Sequence, residues 1–132
     1  MLLVDGEMHY TDMAPTQEMV DMLDTRRDDQ IMAWELMSIA LGVSTFGQRL
    51  RGRRVRIWSD NVGAENGFRA GAARARDHNL IIHALWLHAM KNHYGVWIAR
   101  VASAENLADL SSRESYGLLE EHPPCCSVQG RA

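Results

Sequence analysis

The feature that most constrains the fold is an alternation of two apolar helical segments with two short strand-like segments. Residues 31–46 carry apolar side chains around much of a helix, and residues 79–95 form a second such segment that ends at a glycine. Each is followed by a short segment with strand character, residues 53–60 after the first and residues 96–103 after the second. This order predicts an α/β architecture built of packed layers.

The segments around this alternation are less strongly patterned. Residues 2–10 predict a short hairpin, and residues 15–28 predict one or two helical turns. The glycine-rich residues 61–78 predict a weak helix, while residues 104–122 predict a terminal helix that ends before two prolines. We expect Asp29 to cap the first long helix.

Size and composition indicate one compact domain. The chain has 132 residues, of which 46% are hydrophobic, and its formal net charge is −3. These values fit a single folded domain and argue against a disordered protein. With no long apolar segment and no basic leader, we expect no membrane association and no secretion. The two cysteines are adjacent, at Cys125 and Cys126, so the expected location is intracellular, either cytoplasmic or nuclear.

Charge is strongly segregated along the chain. Residues 1–30 carry eight acids and two arginines, whereas residues 49–76 carry eight arginines and two acids. Arginine suits bidentate contacts to phosphate, so the second segment is a candidate phosphate-binding surface. A solvated basic face with no ligand is an equal alternative.

Three acids stand at positions where a carboxylate is costly or well placed for chemistry. Glu35 lies in or beside the apolar stripe of the first long helix, where it must be paired, bind a metal or take up a proton. Asp60 follows a predicted strand, at the end where ligand sites collect in α/β sheets. Asp109 lies in Asn106-Leu107-Ala108-Asp109, at the start of the terminal helix. The alternatives are an acid on the edge of the stripe, an ordinary turn residue, and a helix cap, respectively.

Taken together, these residues resemble the ribonuclease H-like domain of retrotransposon reverse transcriptases. The residues that carry the resemblance are Trp34-Glu35-Leu36, Ser59-Asp60-Asn61, and Asn106 to Asp109 followed by Leu110-Ser111-Ser112-Arg113. The resemblance covers roughly residues 30–116 and is specific as a set. It implies a mixed β-sheet flanked by helices, truncated at the N-terminus, over residues 1–122, followed by a disordered tail over residues 123–132.

The resemblance also implies a reaction. Members of this family cleave the RNA strand of an RNA–DNA hybrid with two magnesium ions, for which manganese can substitute. Carboxylates hold such ions about 3.5–4 Å apart, and Mg²⁺ prefers oxygen ligands. Glu35, Asp60 and Asp109 would therefore be the catalytic and metal-binding residues, with the rest of a reverse-transcriptase polyprotein as a partner. The residues expected near the nucleic-acid backbone are Arg54, Arg56, Arg69, Arg74 and Arg76.

One departure from the family concerns its first strand, which carries a fourth acid. Residues 2–10 match the second strand and its turn better, so the first strand and its Asp are absent from the pattern. Asp5 is a less favoured substitute, because only 30 residues separate it from Glu35. The alternative to an active nuclease is therefore an inactive remnant that binds nucleic acid or has a structural role.

Histidines and tryptophans are interpreted as structural. His78, His83, His88 and His93 recur at every fifth residue, a spacing that does not align metal ligands on one helix face. Trp58, Trp86 and Trp97 are predicted to be core residues, and stacking on bases is the alternative.

Overall fold

The computed structural model describes residues 1–5, 7–11, 13–27, 30–109 and 128–131. It is a mixed α/β fold with a small parallel sheet, as the α/β class predicts. In chain order the elements are β1 (Leu2–Val4), β2 (Glu7–Tyr10), α1 (Gln17–Asp21), α2 (Ile31–Thr45), α3 (Gly47–Leu50), β3 (Arg54–Ser59), α4 (Val62–Ala70), α5 (Arg76–Lys91), β4 (Gly95–Arg100), a 3₁₀ turn (Ser103–Glu105) and β5 (Val128–Arg131).

The predicted N-terminal hairpin is present. β1 and β2 pair antiparallel, with Leu2 opposite His9, and β5 runs parallel beside β2. Asp5 lies in the hairpin turn with a left-handed backbone (φ 51°). Its carboxylate accepts hydrogen bonds of 2.9 and 2.8 Å from the guanidinium of Arg53, the residue before β3. The turn of the hairpin is therefore held near the amino end of β3.

The second sheet consists of β3 and β4, which pair in parallel from Arg54–Gly95 to Ser59–Arg100. Parallel strands need a crossover connection, which here contains α4 and α5. Val55 and Ile57 of β3 face the helices and pack against the core, together with the buried Ile98 of β4. The alternate residues of both strands face away from this core.

The core lies between the helices and the inner face of β3 and β4. Leu36 of α2, Phe68 of α4 and Ile82 of α5 are its largest fully buried side chains. The predicted position of Trp86 is close to correct, because its half-buried ring packs on Phe68 and its Nε1 donates a 3.2 Å hydrogen bond to the Phe68 carbonyl.

The core prediction is wrong for the two tryptophans on the strands. Trp58 is 54% exposed and Trp97 is 65% exposed. Both occupy strand positions that face away from the helices. Alternate residues of a strand point to opposite faces, and this alternation determines where the two side chains lie, despite their apolar character.

The remaining boundaries differ in detail from the predictions. A left-handed Gln30 (φ 61°) precedes α2, while the expected cap Asp29 lies outside the described residues. Of the predicted terminal helix, the structure describes the 3₁₀ turn and a helical start at Ala108–Asp109. Disorder was expected for residues 123–132, within which the structure describes β5 and no other residue. Across the described ranges, no helix has the length and apolarity that a membrane crossing requires.

Candidate functional site

Glu35 sits on α2 at the border between the core and the surface. The next residue, Leu36, is fully buried, whereas Trp34 and Glu35 are each half-buried. Glu35 therefore lies on the edge of the apolar stripe, which is the milder of the two placements that the sequence allows. Its carboxylate is still partly removed from water, and this disfavours the charged form.

Asp60 is fixed by the tight connection between β3 and α4. The backbone N–H of Asn61 donates to the hydroxyl of the buried Ser59 at 3.2 Å. The side-chain oxygen of Asn61 in turn accepts from the N–H of Ala64 at 2.9 Å and caps α4. Asp60 thus stands at the carboxyl end of β3 between two anchored neighbours, and its own side chain is half-buried.

Asp109 is held by the Asn106 motif. The side-chain oxygen of Asn106 accepts from the N–H of Ala108 at 3.2 Å, and its amide nitrogen donates to Oδ1 of Asp109 at 3.3 Å. The Asp109 N–H donates to the Asn106 carbonyl at 3.1 Å. Asn106 therefore caps this turn, and it also orients the Asp109 carboxylate.

The electrostatics of Glu35 link the three acids. Partial burial is the largest cause that raises its pKa, and the negative charges of Asp60 and Asp109 raise it further. Coulombic effects of this kind need separations of only several ångströms. Glu35 therefore lies within electrostatic range of both Asp60 and Asp109.

The donor chemistry of this cluster suits a hard divalent cation. Three carboxylates supply the oxygen ligands that Mg²⁺ prefers, and a bound cation would relieve their mutual repulsion. Nevertheless, among the described residues no three His, Cys, Asp or Glu side chains are close enough to hold one metal ion together. The arrangement of Glu35, Asp60 and Asp109 in this structure is thus looser than a closed metal site.

Asp5 does not join the cluster. It is bound to Arg53 at the amino end of β3, whereas Asp60 stands at the carboxyl end of that six-residue strand. These ends are roughly 20 Å apart at the usual rise per residue. The Arg53 guanidinium also lowers the pKa of Asp5, which fits a surface ion pair. The less favoured substitution of Asp5 for a fourth acid therefore has no support in this geometry.

The five candidate nucleic-acid-binding arginines lie on different parts of the fold. Arg54 and Arg56 project from the outward face of β3, and Arg74 and Arg76 are exposed around the start of α5. Arg69 is exposed on α4, but its guanidinium donates to the nearly buried Glu65 at 2.7 Å. Arg69 is thus partly committed to a contact within the chain.

Two features of the structure differ from what the sequence predicts or are not predicted by it. The first is the exposure of Trp58 and Trp97, although the alternation in residues 54–58 puts Trp58 on the same strand face as the arginines. The other is a buried ion pair between Asp77 of α5 and Arg26, 51 residues apart, for which a single sequence carries no signal.

Searches against protein-family models, curated proteins and solved structures found no match.

Proposed function

We propose that the chain is a ribonuclease H-like domain that cleaves the RNA strand of an RNA–DNA hybrid with the help of Mg²⁺ or Mn²⁺. Glu35, Asp60 and Asp109 would be its metal-binding and catalytic residues. Such a domain acts as part of a reverse-transcriptase-type element.

The observation that carries the proposal is the placement of three half-buried acids from α2, the carboxyl end of β3 and the Asn106 turn, with Glu35 within electrostatic range of the other two. Like charges at the edge of a core cost folding free energy, and a bound cation would offset that cost. Carboxylates that hold divalent cations are the usual such use in phosphoryl-transfer enzymes.

The order of elements gives further support. A hairpin, a long helix bearing an acid, a strand ending in an acid, a helical crossover and a parallel strand follow one another in this chain. That order agrees with the family that the motifs resemble. Arg74 and Arg76, which are exposed around the start of α5, provide positive charge for a polynucleotide.

The test combines metal binding with cleavage. We expect Mg²⁺ to bind with saturation in calorimetry and to support cleavage of a labelled RNA strand in a hybrid. Asp60→Asn should abolish both effects and leave the fold intact by circular dichroism. Glu18→Gln, an exposed acid on α1, is the matched control and should behave as the wild type. Cleavage that persists in Asp60→Asn would refute the assignment of the site.

A second candidate is an inactive domain of the same class that retains nucleic-acid binding. The spacing of the three acids favours it, since within the described ranges they do not approach closely enough for one shared ion. The edge of β3 that faces away from β4 also pairs with no described strand, in keeping with the first strand that the resemblance leaves unmatched. Salt-sensitive hybrid binding without metal-dependent cleavage would identify this alternative.

A further inference from the structure

The outward face of the β3–β4 sheet combines aromatic and positively charged side chains. β3 presents Arg54, Arg56 and Trp58 on this face, and all three are exposed. Through the register of the pair, Trp97 of β4 lies directly beside Arg56. We call these four residues the Trp–Arg face.

The two indole rings are available to a ligand. Trp58 and Trp97 are each more than half exposed, which is unusual for the largest apolar side chain. They stand on adjacent strands, offset by two residues, and this places their Cα atoms roughly 8 Å apart at ordinary strand spacing. Two such rings on a sheet can each take the face of one base.

Charge on this face has a single sign. The outward positions of both strands hold no acid; besides the Trp–Arg face they contain only Gly95 and Ala99. Within the described part of the chain, Arg54 and Arg56 form no ion pair. The Arg56 guanidinium carbon instead lies 5.7 Å from the centre of the Trp58 ring, where it keeps its charge next to an aromatic surface.

Among the described residues the face is also open at Gly95. A Cβ added there, opposite Arg54, would meet no atom of these residues within 4 Å. Trp97 also borders a cleft of about 200 Å³, whose other lining residues lie on the helix side of the sheet: Phe68, Arg69, Trp86, Val96 and Ile98. A chain lying across the outward face therefore meets little steric hindrance at Gly95.

We propose that the Trp–Arg face binds single-stranded nucleic acid, with bases stacked on Trp58 and Trp97 and phosphates beside Arg54 and Arg56. Aromatic rings on a positively charged surface are the usual means of binding unpaired strands without sequence preference. A duplex has its bases already stacked on one another, so it cannot use these rings in the same way. An acidic protein surface would pair with the two arginines, but a single strand supplies both the negative charge for them and the flat rings that stack on the two indole faces.

This site differs from the carboxylate cluster. The cluster is formed by α2, the carboxyl end of β3 and the turn at Asn106, whereas the Trp–Arg face is the outer surface of the sheet. Binding to this face does not depend on the proposed nuclease activity, and either proposal can fail without the other.

The first test measures binding of a fluorescently labelled oligothymidylate of about 12 nucleotides to the full chain by anisotropy, without Mg²⁺. Trp97→Leu and Trp58→Leu keep an apolar side chain but remove the aromatic face. Each should weaken binding by at least about fivefold, whereas Trp97→Phe should retain most of the affinity. Leu87→Ala, at an exposed apolar position on α5, is the matched control and should bind as the wild type.

The second test concerns charge. Arg54→Gln and Arg56→Gln should each lower the slope of log affinity against log salt by about 0.7, the value for one phosphate contact on a single strand. Lys91→Gln, at the exposed end of α5, should leave the slope unchanged. Gly95→Glu puts a negative charge on the open face and should weaken binding.

Three results would overturn the proposal. One is equal affinity of the wild type, Trp58→Leu and Trp97→Leu for the oligothymidylate. Another is a duplex of the same length that binds as tightly as the single strand. The third combines two observations: the wild type does not bind the oligothymidylate, and sedimentation shows self-association that both tryptophan variants abolish. The face would then be an interface between two copies of the chain. Asp60→Asn, the variant that tests the nuclease site, should bind the oligothymidylate as the wild type does. Failure of the nuclease proposal can then be distinguished from failure of the single-strand proposal.

Discussion

Replacing Arg26 with methionine should destabilise the fold far more than a typical surface substitution, because it leaves Asp77 buried without its cation. The Asp77 side chain is only 4% exposed. Two guanidinium nitrogens of Arg26 donate to it, one of them at 2.7 Å to Oδ2. Hydrogen bonding from Arg26 is the main cause that holds the pKa of Asp77 far below its usual range.

The size of the loss follows from what remains around the carboxylate. Breaking a buried ion pair costs about 3–5 kcal/mol when the remaining charge is uncompensated. Here the backbone N–H groups of Asp24 and His78 still donate to Asp77, at 3.1 and 2.9 Å. Arg26 is also 21% exposed, so water can reach part of the vacated position. We therefore expect a loss of about 2–3 kcal/mol in the free energy of unfolding.

Urea denaturation followed by circular dichroism at neutral pH measures this loss. Arg53→Met is the matched control, because it removes an arginine that is 46% exposed from its pair with Asp5, which is 69% exposed. Exposed pairs of this kind contribute little to stability. If Arg26→Met were no more destabilising than Arg53→Met, burial would not determine the strength of the Asp77 pair and the reasoning would be wrong.

The same pair predicts a pH dependence with a definite sign. Because the folded-state pKa of Asp77 lies below its unfolded value of 3.8, the pair contributes its full stability above that value. The contribution is lost as the pH falls towards the folded-state pKa. In Arg26→Met the difference from the wild type should accordingly shrink as the solution is acidified below pH 3.8.

Two further predictions concern Glu35 and the glycines. Glu35→Gln should stabilise the metal-free protein at neutral pH. Because the pKa of Glu35 is raised in the folded state, its carboxyl contributes stability at low pH, and this contribution is lost as the pH rises through the folded-state pKa. Urea titrations should therefore show a smaller increase in the free energy of unfolding for Glu35→Gln at pH 4 than at pH 7. Gly47→Ala should cost about 1–3 kcal/mol, since a Cβ there would lie 3.0 Å from Cε1 of His88, whereas Gly42→Ala in α2 meets nothing within 4 Å and should stabilise by about 0.5–1 kcal/mol. Equal effects at the two glycines in thermal melts would contradict the packing argument.

Much of the fold could be predicted because each element carries its own local signal. The alternation of Val55 and Ile57 with polar neighbours fixed both the existence of β3 and its inward face. The long apolar segment of α2 and the apolar period of α5 likewise specified the helices that cover that face. The pairing of β3 with β4 follows from the crossover between them, since short parallel strands joined by helices return to the same sheet.

The parts that could not be predicted depend on which residues meet in three dimensions. Trp58 and Trp97 were assigned to the core from their apolar character, although the strand period pointed them outward. The partner of Asp77 is decided by where residues 24–26 cross the start of α5, and nothing local in either segment specifies that crossing. For the acids, the sequence supplied Glu35, Asp60 and Asp109, but their spacing depends on how α2 and the Asn106 turn pack against the end of β3.

The long crossover between β3 and β4 has a consequence for the order of folding events. The first paired residues, Arg54 and Gly95, are separated by 95 − 54 = 41 positions in the chain. Closing a loop of that length costs about 3 kcal/mol in chain entropy beyond a constant, and no strand contact compensates for it until the ends meet. The helices α4 and α5 need only local contacts, so they can form before the strands pair and shorten the distance that the chain must search. We therefore expect the docking of β4 onto β3 to be a late step, and substitutions such as Ile98→Val to accelerate unfolding while they leave the folding rate nearly unchanged.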